Sequence, residues 1–340
     1  MAKTLIIAEA GVNHNGNLEL AKRLIDVAAV AGVDYVKFQT FKAKRLVSKN
    51  AKKAAYQIEN TASTGSQYDM LKKLELDVAN HHILVDYCNS KNIKFLSTGF
   101  DLESLDLLNE LNIDLFKVPS GEITNLPYLK KIASFGKPVI LSTGMCTMQE
   151  VKAALDVMTN NGISKKNITI LHCNTDYPTD INDVNLNAML TIQKELDVSV
   201  GYSDHTLGIE VPIASVAMGA VCIEKHFTID RTMEGPDHKA SLEPSELNAM
   251  VNAIRNIEKA MGNGIKKPSK SEEKNIDIAR KSIFLNTDLE KGEIIENNNL
   301  IAKRPGSGIS PMEWEKIVGK KTTKKVVKGE MLTLNDFKQC

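Results

Sequence analysis

Several classes of protein are argued against by what this sequence lacks. Only 5% of its 340 residues are aromatic, and its five cysteines are scattered without a CxxC spacing. The odd number and the spacing of the cysteines argue against a disulfide framework or a zinc knuckle and predict reduced thiols in a cytoplasm. Basic and acidic residues nearly cancel, at 43 against 42, so we predict no nucleic-acid partner. The absence of a signal-peptide pattern and of a long apolar run predicts a cytoplasmic protein with no membrane partner.

What the sequence does contain is a repeated pattern of short apolar runs that end in small polar clusters. The eight runs cover residues 5–9, 35–39, 95–98, 116–122, 139–144, 168–174, 200–205 and 221–226. Runs of this kind, without strict alternation, predict strands buried on both faces, as in a parallel sheet. Segments with helical periodicity separate them. Eight strand–helix units, with no glycine-rich dinucleotide turn after the first strand, predict a closed (β/α)8 TIM barrel rather than a doubly wound open sheet.

Three segments depart from this rhythm. Residues 40–67 form a long insertion, which we expect to be either a functional lid or disordered. Residues 262–273 are polar and rich in Gly, Lys and Ser, as linkers are. Residues 288–295 are then echoed by residues 325–332, which predicts two copies of a small β-rich unit. The predicted organisation is a catalytic barrel over 1–262, a linker over 263–282 and a small β-rich domain over 283–340.

Two histidines end consecutive predicted strands, His205 on the seventh and His226 on the eighth. Neighbouring barrel strands place their ends side by side, so the two imidazoles can converge. Two histidines with open remaining positions suit a divalent metal such as Mn²⁺, Fe²⁺ or Zn²⁺. Either histidine alone would more often be structural, so the metal interpretation depends on the pair. We expect His81, beside His82 in a helix, to lie on a solvated face.

Lysines and hydroxyl groups at other strand ends predict an anion site. Lys37 and Lys117 end the second and fourth strands. The serines at strand ends are Ser97, Ser120, Ser142 and Ser203. One serine could merely shape its turn, but four serines with two lysines favour a site for phosphate or carboxylate. Glu9, Glu122 and Asp237 near the same rim could supply a general base, bind a sugar hydroxyl, or pair with a buried lysine.

These residues leave two chemistries open. The first is a Schiff-base aldolase with Lys37 or Lys117 as nucleophile. The second is a metal-assisted condensation of a phosphorylated donor with a carbonyl acceptor. The histidine pair, and the Ser or Gln neighbours of each lysine, favour the second.

Nearly the whole sequence resembles the sialic acid synthase family, which comprises phosphoenolpyruvate-dependent nonulosonate synthases with a TIM barrel and an antifreeze-like (SAF) domain. The motifs that carry the resemblance are 7–16 (IAEAGVNHNG), 37–40 (KFQT), 117–122 (KVPSGE), 141–145 (LSTGM), 172–178 (HCNTDYP), 203–206 (SDHT), 224–228 (EKHFT), 235–238 (GPDH) and 303–306 (KRPG). The resemblance implies an N-acetylneuraminate synthase that condenses phosphoenolpyruvate with N-acetylmannosamine and water, releasing phosphate.

The alternative is a legionaminic or pseudaminic acid synthase that uses a 2,4-diacetamido-2,4,6-trideoxyhexose as acceptor. No motif decides between these acceptors. A 6-hydroxyl would require a polar partner, whereas a 6-deoxy methyl would require an apolar wall. Because the small domain is similar to ice-binding folds, a further interpretation is a binding protein whose barrel has no catalytic activity. The polar residues at every rim position speak against it.

The resemblance also implies roles for individual residues. His205 and His226 would hold a divalent metal, typically Mn²⁺, with Mg²⁺ or Co²⁺ as alternatives. The phosphoenolpyruvate-binding residues would be Lys37, Thr98, Lys117, Ser120, Ser142, Ser203 and either Asn174 or Thr175. The acceptor-binding residues would be Gln39, Tyr177, Asp237 and Arg304. Glu9 and Glu122 would lie near the reacting carbons, with Glu122 as the expected base. Arg304 would reach the partner's barrel within a domain-swapped homodimer.

Overall fold

The computed structural model describes residues 3–61 and 65–338, without the side chains of residues 55, 56 and 59. The chain divides into two compact units, Met1–Asn263 and Gly264–Cys340. The segment that the sequence assigns to a linker, 263–282, contains a helix, Lys270–Ala279, and reaches the first strand of the second unit. Each unit has a hydrophobic core of its own.

Eight parallel strands form the first unit, as the sequence predicts. They are β1 (Leu5–Gly11), β2 (Tyr35–Thr40), β3 (Lys94–Gly99), β4 (Phe116–Val118), β5 (Val139–Ser142), β6 (Ile168–Cys173), β7 (Ser199–Asp204) and β8 (Cys222–His226). Their order in the sheet is β3-β2-β1-β8-β7-β6-β5-β4, and β3 and β4 lie side by side. The TIM-barrel prediction is confirmed. The carboxyl ends of all eight strands therefore meet at one rim.

Helices follow the strands along the chain. They are α1 (Leu18–Ala31), α2 (Ala43–Leu46), α3 (Ala55–Thr61), α4 (Gln67–Leu74), α5 (Val78–Ser90), α6 (Leu102–Glu110), α7 (Leu126–Ser134), α8 (Met148–Asn160), α9 (Asn187–Leu196), α10 (Glu210–Ala217), α11 (Pro244–Ala260), α12 (Lys270–Ala279) and α13 (Trp314–Ile317). Helix α1 shows why they form: Ala21, Leu24, Ile25 and Ala28 recur at helical spacing and are buried. Among the described residues, no helix has the length and apolar character needed to span a bilayer. The cytoplasmic location stays a prediction.

The insertion after β2 is built largely from the short helices α2, α3 and α4, although residues 62–64 lie outside the described residues. Hydrogen bonds attach it to other loops of the barrel. The Lys42 amide donates to Asp101 Oδ2 at 3.0 Å, and Asn60 Nδ2 donates to the Pro236 carbonyl at 2.7 Å. Its apolar residues pack together beside the barrel rim. This insertion cluster consists of Val12, Phe41, Leu46, Met70, Leu71, Leu74 and Phe100.

The expectation that His81 lies on a solvated face is wrong. Its side chain is fully buried, with Nε2 2.7 Å from Thr40 Oγ1 and Nδ1 2.7 Å from the Asp77 carbonyl oxygen. Helix α5 turns His81, Leu84 and Cys88 toward the barrel, so only the neighbouring His82 faces solvent. Two adjacent residues on a helix point about 100° apart, so they need not share an environment.

The second unit pairs the two segments that echo each other in the sequence. Strand β9 (Ser282–Leu285) runs antiparallel to β10 (Leu300–Lys303). In the echoed segments, Leu289 and Val326 exchange two backbone hydrogen bonds of 2.9 Å. The two copies therefore lie against each other through their backbones. Their side chains contribute to one small core that includes Ile295 and Leu332.

A fully buried ion pair joins the ends of β7 and β8. Lys225 Nζ contacts Asp204 Oδ2 and also donates to the Thr206 carbonyl at 2.7 Å. Successive residues of a strand point to opposite faces. The pair therefore lies behind the barrel wall, while His205 and His226, each the next residue along the chain, face the interior of the rim.

Replacing Lys225 with methionine should destabilise the barrel strongly, because the Asp204 carboxylate would stay buried without its cation. We expect a loss of about 3–5 kcal/mol in the free energy of unfolding, measured by urea denaturation. The exposed pair between Lys94 and Asp114 offers a matched control, since its N–O distance is also short, at 2.6 Å. Lys94→Met should cost about 1 kcal/mol or less. Equal losses in the two variants would contradict the prediction.

Candidate active site

A cavity of about 170 Å³ lies at the carboxyl ends of the barrel strands. We call it the strand-end cavity. The predicted site residues that line it are Glu9, Lys37, Gln39, Thr98, Lys117, Ser120, Ser142, Thr175, Tyr177, Ser203, His205 and His226. Every strand of the barrel contributes at least one lining side chain or is directly followed by one. The polar strand ends that the sequence predicts therefore converge in space.

Four charged side chains form the floor of this cavity. Lys37 Nζ lies 2.5 Å from Glu9 Oε2 and 3.5 Å from Glu224 Oε2, and Lys117 Nζ lies 3.3 Å from Glu224 Oε1. All four side chains are buried. We call Glu9, Lys37, Lys117 and Glu224 the lysine–carboxylate cluster. Buried charges are tolerated when they are paired, and here each cation touches a carboxylate.

The cluster gives its two carboxylates opposite properties. Burial would raise the pKa of Glu224, but Lys117 and Lys37 outweigh burial and lower that pKa to about 2. Burial raises the pKa of Glu9 to about 7 despite the nearby Lys37. Glu224 therefore stays ionised at neutral pH, whereas Glu9 binds a proton more readily than an exposed glutamate does.

Lys37 is held as a cation. Burial favours its neutral form, but the Glu224 and Glu9 carboxylates outweigh burial and raise its pKa. Its Nζ also donates to Thr98 Oγ1 at 2.9 Å. A Schiff-base nucleophile needs a lysine whose pKa is lowered. The environment of Lys37 therefore suits binding of an anion better than nucleophilic attack.

Sequence reasoning assigned no role to Glu224. Its carboxylate accepts a hydrogen bond of 2.9 Å from Ser203 Oγ and lies between Lys37 and Lys117. The signal that could have found it is its position two residues before His226. Residues two apart in a strand share a face, so Glu224 had to point into the same rim.

The two histidines predicted to hold a metal lie together, with ring centroids 5.4 Å apart. His205 Nδ1 lies 2.5 Å from the Asn174 carbonyl oxygen, so Nδ1 carries the hydrogen and Nε2 is left as an acceptor. Burial lowers the pKa of both imidazoles, to about 4 for His205, and keeps them neutral at pH 7. The Tyr177 ring packs 4.1 Å from the His205 ring.

This pair fits a divalent cation. Neutral imidazoles are common metal ligands, and among the described residues His226 Nδ1 is buried without a hydrogen-bond partner. Asp237 Oδ2 lies 4.0 Å from that nitrogen. Within residues 3–61 and 65–338, no set of three His, Cys, Asp or Glu side chains is arranged as a metal site. The two histidines alone would leave most coordination positions open.

Hydroxyl groups also line the strand-end cavity, and Gly144 packs directly behind two of them, Ser120 and Thr175. Ser120 Oγ accepts the Gly144 amide at 2.9 Å and lies 3.2 Å from Cys173 Sγ. Ser142 Oγ is buried and has no partner among the described residues. A Cβ atom on Gly144 would lie 2.5 Å from the Thr175 methyl and 2.9 Å from Ser120 Oγ. A buried hydroxyl without a partner, close to two lysines, fits an anionic ligand.

Two residues predicted to bind phosphoenolpyruvate or to act in the chemistry, Asn174 and Glu122, do not line this cavity. The Asn174 side chain donates to the Asp183 carbonyl at 2.8 Å and lines a separate cavity, while Thr175 faces the strand-end cavity. Consecutive residues after β6 point to opposite sides. Glu122 ends a short 3₁₀ helix and accepts a hydrogen bond of 2.6 Å from Asn125 Nδ2, outside the cavity lining. Its position therefore does not support the predicted role as general base.

A second cavity, of about 280 Å³, adjoins the first. We call it the outer cavity. Gln39, Phe100, Tyr177 and His226 line both cavities, and Asp237 lines only the outer one. Burial raises the pKa of Asp237 to about 6. The acceptor-binding residues expected in the barrel thus lie at the boundary or in the outer cavity.

The last predicted site residue, Arg304, belongs to the second unit. It follows β10, and its Nε donates to the Ala279 carbonyl at 3.0 Å. The side chain is exposed. The side chain is therefore anchored through Nε to its own unit, while the rest of the guanidinium is accessible.

Comparison with known proteins agrees with this geometry. The NeuB family matches residues 24–266, and the SAF domain matches residues 280–338. The chain is 57% identical to the N,N'-diacetyllegionaminic acid synthase of Campylobacter jejuni, over 98% of this chain and 99% of that one. It is 49% identical to the synthase of the same name from Legionella pneumophila, over 96% and 92% of the two chains.

A solved structure is also similar. It is the N-acetylneuraminic acid (sialic acid) synthetase from Leptospira borgpetersenii serovar Hardjo-bovis in complex with citrate. The TM-score is 0.70 and the sequence identity 35%, with 81% of this chain and 90% of that chain covered.

Replacing Gly144 with alanine should weaken anion binding, because the new methyl would displace Ser120 and Thr175. We expect the affinity for inorganic phosphate, measured by isothermal titration calorimetry, to fall at least about tenfold, which corresponds to the loss of one hydrogen bond to a charged group. Gly121 lines the same cavity, but a Cβ atom there would meet nothing within 4 Å. Gly121→Ala should therefore have the smaller effect. The reverse order would show that the Gly144 wall does not shape the anion site.

Proposed function

The chain belongs to the NeuB family, and from this premise we propose that it is an N,N'-diacetyllegionaminic acid synthase. It would condense phosphoenolpyruvate with 2,4-diacetamido-2,4,6-trideoxymannose and water and release phosphate. The two relatives at 57% and 49% identity support this alternative over the N-acetylneuraminate synthase that the sequence resemblance placed first. The observation that carries the proposal is the lysine–carboxylate cluster beside two neutral histidines.

In this proposal the cationic side of the cavity binds phosphoenolpyruvate. Lys117 and Ser142, with Ser120 and Ser203, would hold the phosphate group. Lys37 and Thr98 would hold the carboxylate, which fits the 2.9 Å hydrogen bond between them. Lysine and hydroxyl donors in a cavity that excludes most water bind such anions well. Thr175, rather than Asn174, would add the contact from the end of β6.

His205 and His226 would hold a divalent cation, with Mn²⁺ as the expected ion. Such a cation supplies Lewis-acid polarisation of the acceptor's aldehyde oxygen. Gln39 and Tyr177 would orient the aldehyde from the boundary between the two cavities. Asp237, in the outer cavity, would accept a hydrogen bond from a sugar hydroxyl.

The carbon–carbon bond would form between carbon 3 of phosphoenolpyruvate and the aldehyde carbon, while the electron pair of the C=O bond moves to the aldehyde oxygen, which takes up a proton and becomes a hydroxyl. Carbon 2 gains cationic character and takes up water, which gives one proton to a base and so replaces the proton taken up by the aldehyde oxygen. The bond from carbon 2 to the phosphate oxygen then breaks, the second proton of the water leaves with the phosphate, and carbon 2 becomes a keto group. We assign the base that accepts the water's proton to Glu9, a carboxylate in the lining of the strand-end cavity whose pKa is raised by burial. Glu9 replaces Glu122 in this role because Glu9 lines the cavity.

A comparison of acceptors tests the proposal. With phosphoenolpyruvate and Mn²⁺ present, phosphate release should be fastest with 2,4-diacetamido-2,4,6-trideoxymannose. N-acetylmannosamine should give a kcat/KM at least about tenfold lower, because it lacks both the second acetamido group and the C6 methyl. The 2,4-diacetamido-2,4,6-trideoxyaltrose isomer serves as the control for the stereochemistry of the acceptor. A higher kcat/KM with N-acetylmannosamine would restore the N-acetylneuraminate interpretation.

We further propose that the active enzyme is a domain-swapped homodimer in which Arg304 acts in the partner's barrel. The exposed guanidinium, anchored through Nε to its own unit, supports this role. Arginine can bind an acylamino oxygen through paired N–H donors. The assignment of Arg304 also follows from the resemblance of residues 303–306 to the family motif.

Mixing two inactive variants tests the swap. Lys117→Ala removes a phosphate-binding side chain from the barrel, and Arg304→Ala removes the side chain donated to the partner. Each variant protein by itself should therefore be nearly inactive. In a randomly mixed population, half of the dimers are mixed, and each mixed dimer has one intact site, which restores about a quarter of the activity. Lys303→Ala, at the exposed neighbouring position, should stay active. No recovery on mixing, with each variant folded, would place Arg304 in its own subunit's site or in none.

A further inference from the structure

The outer cavity is lined by both polar and apolar residues. Gln39, Tyr177 and Asp237 supply polar atoms from the barrel, next to the apolar Val12, Phe100 and Pro236. The insertion after β2 supplies most of the remaining lining, which is mainly apolar. Its apolar lining residues are Phe41, Leu46, Val47, Met70, Leu71 and Leu74. We call these six residues the apolar wall.

The wall is a built surface that other contacts hold in place. Phe41, Met70 and Leu74 are 2%, 9% and 6% exposed, so their packing fixes the shape of the wall. Val47 and Leu71 are only half-buried and remain accessible from the cavity. The bond from Asn60 to the Pro236 carbonyl ties the insertion to the loop that carries Asp237.

Two glutamines, Gln57 and Gln67, interrupt the apolar lining, and Gln67 Nε2 lies 3.5 Å from Gln57 Oε1. The six side chains of the apolar wall have no polar atom. A hydroxyl group packed against those six side chains would therefore lose its water partners and gain none from them. An aliphatic group in the same place loses nothing and removes apolar surface from water.

The two cavities share His226, Gln39 and Tyr177 as a common border. Under the proposed function, the aldehyde carbon of the acceptor reacts in the strand-end cavity, next to the histidines. The volume of about 170 Å³ must also hold phosphoenolpyruvate, which leaves too little space for a whole hexose derivative. The far end of the acceptor must therefore extend into the outer cavity.

From this arrangement we propose that the apolar wall determines acceptor specificity by packing against a 6-deoxy methyl group. This inference rests on the proposed function, because it requires a hexose acceptor that reacts at the histidine end. It assigns to the insertion a role in substrate selection that is separate from the chemistry at the strand ends. Leu46, Val47 and Leu71 are the half-buried members of the wall, and we assign the specificity-determining role to Leu71 and Val47 among them.

The test uses two acceptors that differ only at carbon 6, namely 2-acetamido-2,6-dideoxymannose and N-acetylmannosamine. The measured quantity is the ratio of their kcat/KM values. A hydrophobic pocket discriminates between a methyl and an added hydroxyl by at most about 10²-fold, so a wild-type ratio of about 10 to 100 is expected. Leu71→Asn should lower this ratio about tenfold, because the amide offers the hydroxyl a partner. Leu71→Met, a volume-conserving control, should leave it within about twofold.

Val47→Thr provides a second variant that nearly keeps its shape, in case Leu71→Asn does not fold, which a melting curve would show. It should also lower the ratio, while the KM for phosphoenolpyruvate stays unchanged. An unchanged ratio in the folded variants, together with wild-type turnover of 2,4-diacetamido-2,4,6-trideoxymannose, overturns the role of the wall. A wild-type enzyme that cannot use that diacetamido sugar overturns the proposed function instead, so the two failures are distinguishable.

Discussion

The alternation of side chains along parallel strands is the constraint on which the rest of this molecule depends. Adjacent residues point to opposite faces, so a strand end rich in charge must place its charges alternately inside and outside the barrel. On β8, Glu224 and His226 face inward and Lys225 faces outward. Each face then needs its own neutralising partners, because a buried charge without one is costly. Asp204 supplies the partner outside, and Lys37 and Lys117 supply it inside.

This arrangement means that the interior charges are balanced before any ligand arrives. Two lysines meet two carboxylates in the lysine–carboxylate cluster, and the histidines stay neutral. Under the proposed function, phosphoenolpyruvate must therefore compete with Glu9 and Glu224 for the same cations.

The barrel and most of its rim could be predicted from sequence because both follow from local patterns. An apolar run that ends in polar residues predicts a strand end, and eight such runs predict a closed ring. Side-chain direction at the edges of these runs was less predictable. Glu122 and Asn174 turn away because a 3₁₀ turn and a change of side after β6 intervene, and neither leaves a periodic signal. His81 was misjudged because burial of α5 depends on tertiary packing.

The insertion after β2 has a consequence for how such enzymes diversify. Its helices contact the far end of the outer cavity and contribute no residue to the lysine–carboxylate cluster or to the histidine pair. Substitutions there can alter which sugar is accepted without altering bond formation. Substrate choice and reactivity are therefore encoded in separate stretches of one chain. Under the proposed function, exchange of this segment of about thirty residues would change the acceptor, while the lysine–carboxylate cluster and the histidine pair stay unchanged.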